Sequence, residues 1–343
     1  LALLFRDSSE TTVDTKVLDE MGFDVFDNDS IKSYRNNFAV KHQNHIWNSY
    51  DNELFLRKIG AIGMSPKDQK FHPTVAGLLM FGQESEIVRE FPQYFLDYRE
   101  VLDTNTRWTH RIVSSSGDWS GNLFDFFFRI FSRLTQDIPI PFALENGLSR
   151  IDDTPSHLAI RELLLNCLVH ADHYGRQGIV VIKEREKISI SNPGDFRIGL
   201  PTALEGGISD PRNSIVMKMF SLIDIGERAG SGLTNAIAVL SNNQNAVVNY
   251  EESHSPERTT VTINFVASDK QAINPQASDK QATNDIYSRI MEYISARQSA
   301  KAIEIAILLK LSNPRARVYL SELVKQGKII AKGNNKNRTY WMK

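Results

Sequence analysis

The chain has 343 residues, more than one ordinary hydrophobic core accommodates, so two or three domains are expected. Its 41% hydrophobic and 24% charged residues are those of a globular protein. No signal peptide appears and no apolar run comes near the roughly 18 residues that cross a bilayer, so no membrane-spanning helix is expected in these residues. The single cysteine, Cys167, rules out an internal disulfide and fits a reducing, cytoplasmic setting. The net charge of −1 is unevenly spread: residues 284–343 hold 12 Lys and Arg against 4 Asp and Glu, a balance of +8, which leaves −9 for residues 1–283. A basic end on an acidic body is the pattern of a nucleic-acid-binding appendage.

Leu1-Ala2-Leu3-Leu4-Phe5 reads as a strand, and the chain as a fragment that opens inside a larger protein. A helix is expected around Thr15–Met21, then a loop-rich segment through Asn28–Gln43 and a helix near Asn52–Ile62. Thr74–Gly82 (TVAGLLMFG) is short and apolar and lacks β-branching at its centre, so a buried helix is expected. Tyr94–Val101 alternates as a half-buried strand does, and Ser114–Asn122, rich in Ser and Gly, is a loop. Leu123–Leu134 (LFDFFFRIFSRL) is an aromatic amphipathic helix whose apolar face belongs in a core.

The rest of the chain is organised around Ser156–Tyr174. Pro155 and Ser156 start a helix there and Gly175 stops it. Glu162, Asn166 and His170 recur every four residues and share one stripe, while Leu163, Leu164, Leu165, Cys167, Leu168 and Val169 surround them. A helix apolar over most of its circumference is buried, and an unpaired carboxylate or amide there costs several kcal/mol, so the stripe must face a partner. His170, Asp172 and His173 lack a further ligand at zinc-like spacing and read as structural or pocket-lining residues.

Two strands follow, Ile179–Ile182 and Ile188–Asn192, joined by a charged, solvated tip at 183–187. Period-two alternation puts Ile188, Ile190 and Asn192 on the inner face, just before a Pro193-Gly194 turn. Ser209–Asn213 (SDPRN) precedes a helix over Ser214–Ile223, and Gly226–Gly232 (GERAGSG) opens directly onto a helix over Leu233–Leu240. Glycines ahead of a helix free backbone N–H groups to approach a phosphate, and the helix N-terminus favours the anion. A second hairpin, Val247–Tyr250 and Thr259–Val266, closes the unit.

This ordered set resembles the GHKL ATPases of the gyrase and histidine-kinase type. It resembles more closely a divergent branch grouped with bacterial transcriptional regulators and RecG-helicase-related proteins. The resemblance covers about Phe26 to Phe265 and rests on AGLLMFG, FLDYRE, RELLLNCLVHAD, NPG, DPRN and GERAGSGL. It implies an α+β fold, a GHKL-like sandwich of a mixed sheet with helices on one face, preceded in full-length relatives by an AlbA-like, Schlafen-type module. It also implies ATP and Mg²⁺ as ligands. Residue by residue, Glu162 matches the carboxylate that orients or deprotonates the attacking water, and Asn166 the amide that ligates Mg²⁺. Gly194 matches the glycine under the adenine, and Gly230, Ser231 and Gly232 match the phosphate loop; Asp172 and Asn192 complete the expected nucleotide-binding set. Two positions depart from the pattern: the adenine-reading Asp is Asn192, and the second glycine of that motif is Phe196. The pattern therefore implies nucleotide binding ahead of turnover, and at most a weak ATPase.

Ala-Ser-Asp-Lys-Gln-Ala occurs at 267–272 and again at 277–282, a polar repeat that cannot build a core and reads as a linker. Beyond it, helices are expected over Asp285–Ala296, Ala302–Leu311 and Asn313–Gln326, with Pro314 at the first position of the third, then a hairpin of Lys328–Lys332 and Arg338–Met342. Three helices and a basic hairpin make a winged helix. Arg315 and Arg317 lie where a recognition helix meets base edges, and Lys332, Lys336 and Arg338 where a wing reaches phosphates. The expected organisation is a remnant of a preceding domain at 1–25, a connecting α/β subdomain at 26–150, the GHKL-like domain at 151–266, the linker at 267–283 and the winged helix at 284–343. The function expected is a cytoplasmic DNA-binding transcriptional regulator with a nucleotide-sensing domain, partnered by duplex DNA, a nucleotide and a second copy of itself. Its rivals are an ATPase in nucleic-acid processing, for which no P-loop motor motif is present, and a non-catalytic scaffold.

Overall fold

The computed structural model describes residues 12–103, 106–136, 144–145, 149–150, 154–226, 230, 232–244, 246–265, 287, 290–295, 297–309, 313–325, 327–332 and 339–342. The expected strand at the start of the chain and the repeat linker lie outside them. The chain divides into two compact units, Leu1–Ala267 and Ser268–Lys343.

The first unit opens differently from the sequence expectation. No helix forms over 15–21: Val13–Thr15 is a single 3₁₀ turn, and Val17 bridges Thr74. The backbone there is taken by tertiary partners, Leu18 N–H donating to Pro73 O at 2.8 Å and Val75 N–H to Lys16 O at 2.8 Å. The expected loop at 28–43 is instead helix α1, Asn28–Lys41. Asp27 caps it, its carboxylate accepting from Ser30 N–H at 2.7 Å. Its buried stripe, Ser30, Ile31, Tyr34 and Phe38, has helical spacing that the intervening Asn, Lys and Arg residues obscure. Helix α2 (Asn52–Ile59), strands β1 (Ile62–Met64) and β2 (Phe71–Pro73), and helices α3 (Val75–Phe81) and α4 (Glu84–Glu90) follow. Every residue of α3 is buried.

Strands β3 (Leu96–Val101) and β4 (His110–Val113), helix α5 (Leu123–Thr135) and the short pair β5 (Leu144–Glu145) and β6 (Ser149–Arg150) lead to helix α6, Pro155–His170. The 114–122 segment carries one 3₁₀ turn, Ser114–Ser116. After α6 come β7 (Ile179–Glu184), β8 (Lys187–Pro193), α7 (Leu200–Glu205), α8 (Ser214–Ser221), α9 (Gly232–Gln244), β9 (Ala246–His254) and β10 (Glu257–Phe265).

Six of these strands form one mixed sheet, ordered β4-β3-β7-β8-β10-β9, in which only β3 and β7 run parallel. The register lines up Tyr98, Val181, Ile190, Val261 and Tyr250 in one cross-strand row. Residues in such a row share a face, and here the first four are buried. Helix α6 packs on α9, α5 and β8, so its leucines close the core over the sheet. Strand β3 is more deeply buried than its alternation suggested, and its Asp97, fully buried, is matched by Arg99 and by Arg111 Nε at 2.9 Å. A single hydrophobic cluster runs from Leu18 to Ile263, so residues before and after position 150 share one core and one sheet.

The second unit has its own core, Tyr287, Ile290, Ile294, Ala300, Ile305, Ala316, Leu320, Leu323, Ile329 and Tyr340 among others. Residues 290–295 are helical. Strand β11 (Ser299–Lys301), helices α10 (Ala302–Leu309) and α11 (Asn313–Lys325), and strands β12 (Ile329–Lys332) and β13 (Thr339–Met342) complete it. The three strands form an antiparallel sheet ordered β11-β13-β12.

Candidate functional site

Helix α6 supplies the first side of the site. Thr154 caps it and Pro155 sits at its first turn, where a missing N–H costs nothing. One turn apart on its stripe, Asn166 Nδ2 donates to Glu162 O at 2.8 Å and to Glu162 Oε1 at 3.0 Å. The carboxylate and the amide thus hold each other in place within an otherwise apolar helix.

The glycine-rich loop supplies the second side. Gly232 begins α9 against Glu162: a Cβ there would lie 2.1 Å from Glu162 Oε1, so any side chain would displace the carboxylate. Gly230 has a φ of +70°, and its carbonyl accepts from Gly207 N–H at 2.9 Å, which pins the loop to the 207–208 backbone. Ser231 and residues 227–229 lie outside the described residues. The end of β8 is the third side. Asn192 is buried and faces Thr259 across the β8–β10 ladder. Its Nδ2 donates to Pro193 O at 3.1 Å, and Thr259 Oγ1 donates to Gly194 O at 2.8 Å.

These three sides meet at Asn166. One cleft is lined by Glu162, Asn166, His170, Phe196, Gly230 and Gly232 among others; an adjoining cavity is lined by Asn166, His170, Asn192, Asp195, Phe196, Tyr250 and Thr259 among others. Asn166, His170 and Phe196 border both. Phe196, where the resembling proteins have glycine, therefore stands between them, its ring centroid 5.3 Å from that of His170 and 5.9 Å from that of Tyr250. The free space is about 40 Å³ in the cleft and about 10 Å³ in the cavity. Since a water needs roughly 10–15 Å³ of such space, the cleft and the cavity together hold a few waters as they stand.

The walls carry buried polar atoms without a partner. Among the described residues His170 Nδ1 and Tyr250 Oη have no hydrogen bond. Buried polar groups are paired in the great majority of cases, so such a pair of orphans bordering one cavity marks a place for water or ligand. Burial, reinforced by Arg212 and Arg197, pulls the His170 pKa down to about 4, so its imidazole is neutral at pH 7. Burial likewise holds the Tyr250 phenol well above its ordinary range.

Asp172 is placed elsewhere. It lines a different cavity with Tyr174, Arg197 and Arg212, and its Oδ1 accepts from Tyr174 N–H at 3.1 Å. Its backbone still touches the site, its N–H donating to Pro193 O at 2.9 Å. His173 is buried there too, its pKa lowered to about 3 by burial and by Arg212. Neither histidine takes part in a metal-type cluster: the described residues contain no group of three or more His, Cys, Asp or Glu able to hold a metal. Glu162 and Asn166 are hard oxygen donors, which fits Mg²⁺ brought in on phosphate oxygens, where one or two protein ligands suffice.

Thr259, Arg212, Asp195 and Tyr250 were not identified from the sequence. Thr259 precedes Val261 and Ile263 at period two, which is the signal that puts it on the inner face. Arg212 belongs to the DPRN segment, but its role is tertiary: Nε donates to His170 O at 3.1 Å and Nη2 to Asp195 O at 2.9 Å. In the second unit, α11 carries Arg315 and Arg317 near its start, Lys332 ends β12, and Lys336 and Arg338 lie outside the described residues.

Three family models match parts of the chain. Residues 177–263 match one described as "Putative ATP-dependent DNA helicase recG C-terminal", residues 2–97 a domain of unknown function, and residues 287–342 a FaeA-like protein. Among solved structures, the DIP2311 protein from Corynebacterium diphtheriae is similar at a TM-score of 0.55 and 15% identity, over 99% of this chain and 66% of that one. This chain thus spans just under two thirds of that protein's length, and the likeness is one of fold. Comparison with curated proteins gave no match. Among the described residues, no helix is long and apolar enough to cross a membrane. The family match supports a RecG-related, ATPase-like domain within the mixed α+β first unit.

Proposed function

We propose that this chain is a DNA-binding regulator whose RecG-related domain holds an adenine nucleotide with Mg²⁺. The observation that carries the nucleotide part is the convergence on Asn166 of three elements far apart in sequence: the Glu162 stripe, Gly230 with Gly232, and Asn192 at the end of β8. In this reading Asn166 offers an oxygen to the ion, the Gly232 end of α9 receives phosphate, and Asn192 with Thr259 faces the base. Bound Mg²⁺ would neutralise phosphate charge. The C-terminal unit, read as a winged helix, takes duplex DNA through Arg315, Arg317, Lys332, Lys336 and Arg338. Its support is the +8 balance of residues 284–343 and the order of strands and helices in that unit.

A second reading, hydrolysis, is favoured by Glu162, whose carboxylate borders the same cleft. The test measures displacement of a fluorescent adenine nucleotide by ATP, phosphate release, and duplex binding with and without nucleotide. Saturable displacement with a change in duplex affinity supports the regulator. Steady phosphate release that is lost in Glu162→Ala supports the ATPase. A chain that binds neither nucleotide nor duplex is a scaffold.

A further inference from the structure

The outer face of the C-terminal sheet presents a tryptophan in a basic setting. The antiparallel register sets Ser299, Trp341 and Ile330 in one cross-strand row, and Lys301, Thr339 and Lys332 in the next. Residues of a row share a face, and alternation sends Ala300, Tyr340 and Ile329 to the opposite one, where all three are buried in the core. Trp341 is only partly buried, lies outside that core, and has beside it Ile330, 36% exposed. The indole N–H donates to Thr339 Oγ1 at 3.0 Å, which fixes the ring's orientation. Lys332 Nζ lies over the ring face, 5.0 Å from its centroid. Lys301 and Lys332 are both exposed.

We propose that this face binds single-stranded nucleic acid by stacking an unpaired base on Trp341. Every base has a π-face, and aromatic platforms flanked by cations hold single strands with little regard to sequence. Lys332 occupies the ring face that the base would take; on its flexible stem the displaced ammonium reaches a neighbouring phosphate, and Lys301 offers a second cation across the row. A base inside a duplex has its faces already stacked, so the occupant is an unpaired strand. The +8 balance of residues 284–343 favours a polyanion over an apolar peptide. The inference rests on the nucleic-acid reading of this unit and shares Lys332 with it, but adds Trp341 and Lys301 on a surface apart from α11.

The full chain is titrated by fluorescence anisotropy, at one salt concentration, against a short labelled oligothymidylate and against a duplex of equal length. Trp341→Ala should weaken oligothymidylate binding about tenfold, Trp341→Phe should stay within about threefold, and duplex binding should be unchanged by either. Trp341→Leu, which keeps apolar bulk without a π-face, should behave as Trp341→Ala and covers the case in which the alanine variant does not fold. Oligothymidylate binding unaffected by Trp341→Ala and Trp341→Leu overturns the proposal, as does an equal loss on both ligands. Duplex binding without oligothymidylate binding also overturns it and leaves the duplex reading standing; binding of neither removes both.

Discussion

The two units keep their chemistry in opposite places. In the first, the candidate site reaches into the interior: Asn192 and Thr259 are each at least 95% covered and Glu162, Asn166 and His170 are half-buried, inside a body whose sequence carries −9 through residue 283. In the second, the described candidate residues Lys301, Ile330 and Lys332 are exposed, on a segment that carries +8. Burying a polar group costs free energy unless it is paired, so each polar residue in the first unit's interior carries information by itself. A surface lysine costs almost nothing, so in the second unit the information lies in sums and in rows.

The strongest way to break this comparison is to strip the surface charge. Replacing Lys332, Lys336 and Arg338 with Gln together should weaken duplex binding roughly 10- to 100-fold at low salt, and should flatten the log–log salt slope by up to about three. Nucleotide affinity should not change. Anisotropy titrations across a salt series check this, and a parallel loss of nucleotide binding would show that the two units are not separable.

Within the first unit, Phe196→Ala should join the cleft and the cavity that its ring divides. The expected result is several-fold tighter adenine-nucleotide binding, despite a stability cost of roughly 3 kcal/mol for the lost ring. Weaker binding would mean that the phenyl ring is itself part of the base site.

Acid should find the buried histidines. The His170 and His173 pKa values fall from 6.5 to about 4 and about 3 on folding, so between those values and 6.5 the unfolded chain binds more protons than the folded one. Stability therefore drops as pH falls below about 6.5, with a slope approaching roughly 1.4 kcal/mol per pH unit for each histidine. Denaturant titrations at several pH values should show this slope, and His173→Phe should reduce it. The smallest effect concerns Cys167, whose thiol burial pushes up to about 12; it should stay unmodified by alkylating reagents at neutral pH until the chain unfolds.

The sequence made α6 and its Glu162–Asn166–His170 stripe legible because a polar stripe on an apolar helix is a conflict that only a partner resolves. It also ordered the strands of both hairpins, since their alternation is local. Helix α1 was illegible because its buried residues are thinly spaced among polar ones, and residues 15–21 because pairing with Pro73 and Val75 overrode local pattern. Thr259 and Arg212 became visible only once β10 lay beside β8 and the DPRN segment lay under His170. The Trp341 face required the register of three strands, one of which, β11, was not expected at all.

The most direct test of the central claim is calorimetric titration of the full chain with ATP and Mg²⁺, repeated on Asn166→Ala. One saturable site in the unaltered chain, weakened more than about tenfold by Asn166→Ala, is the expected result, because an ion ligand acts on the bound ground state. No binding in the unaltered chain, or equal affinity in both, would contradict it.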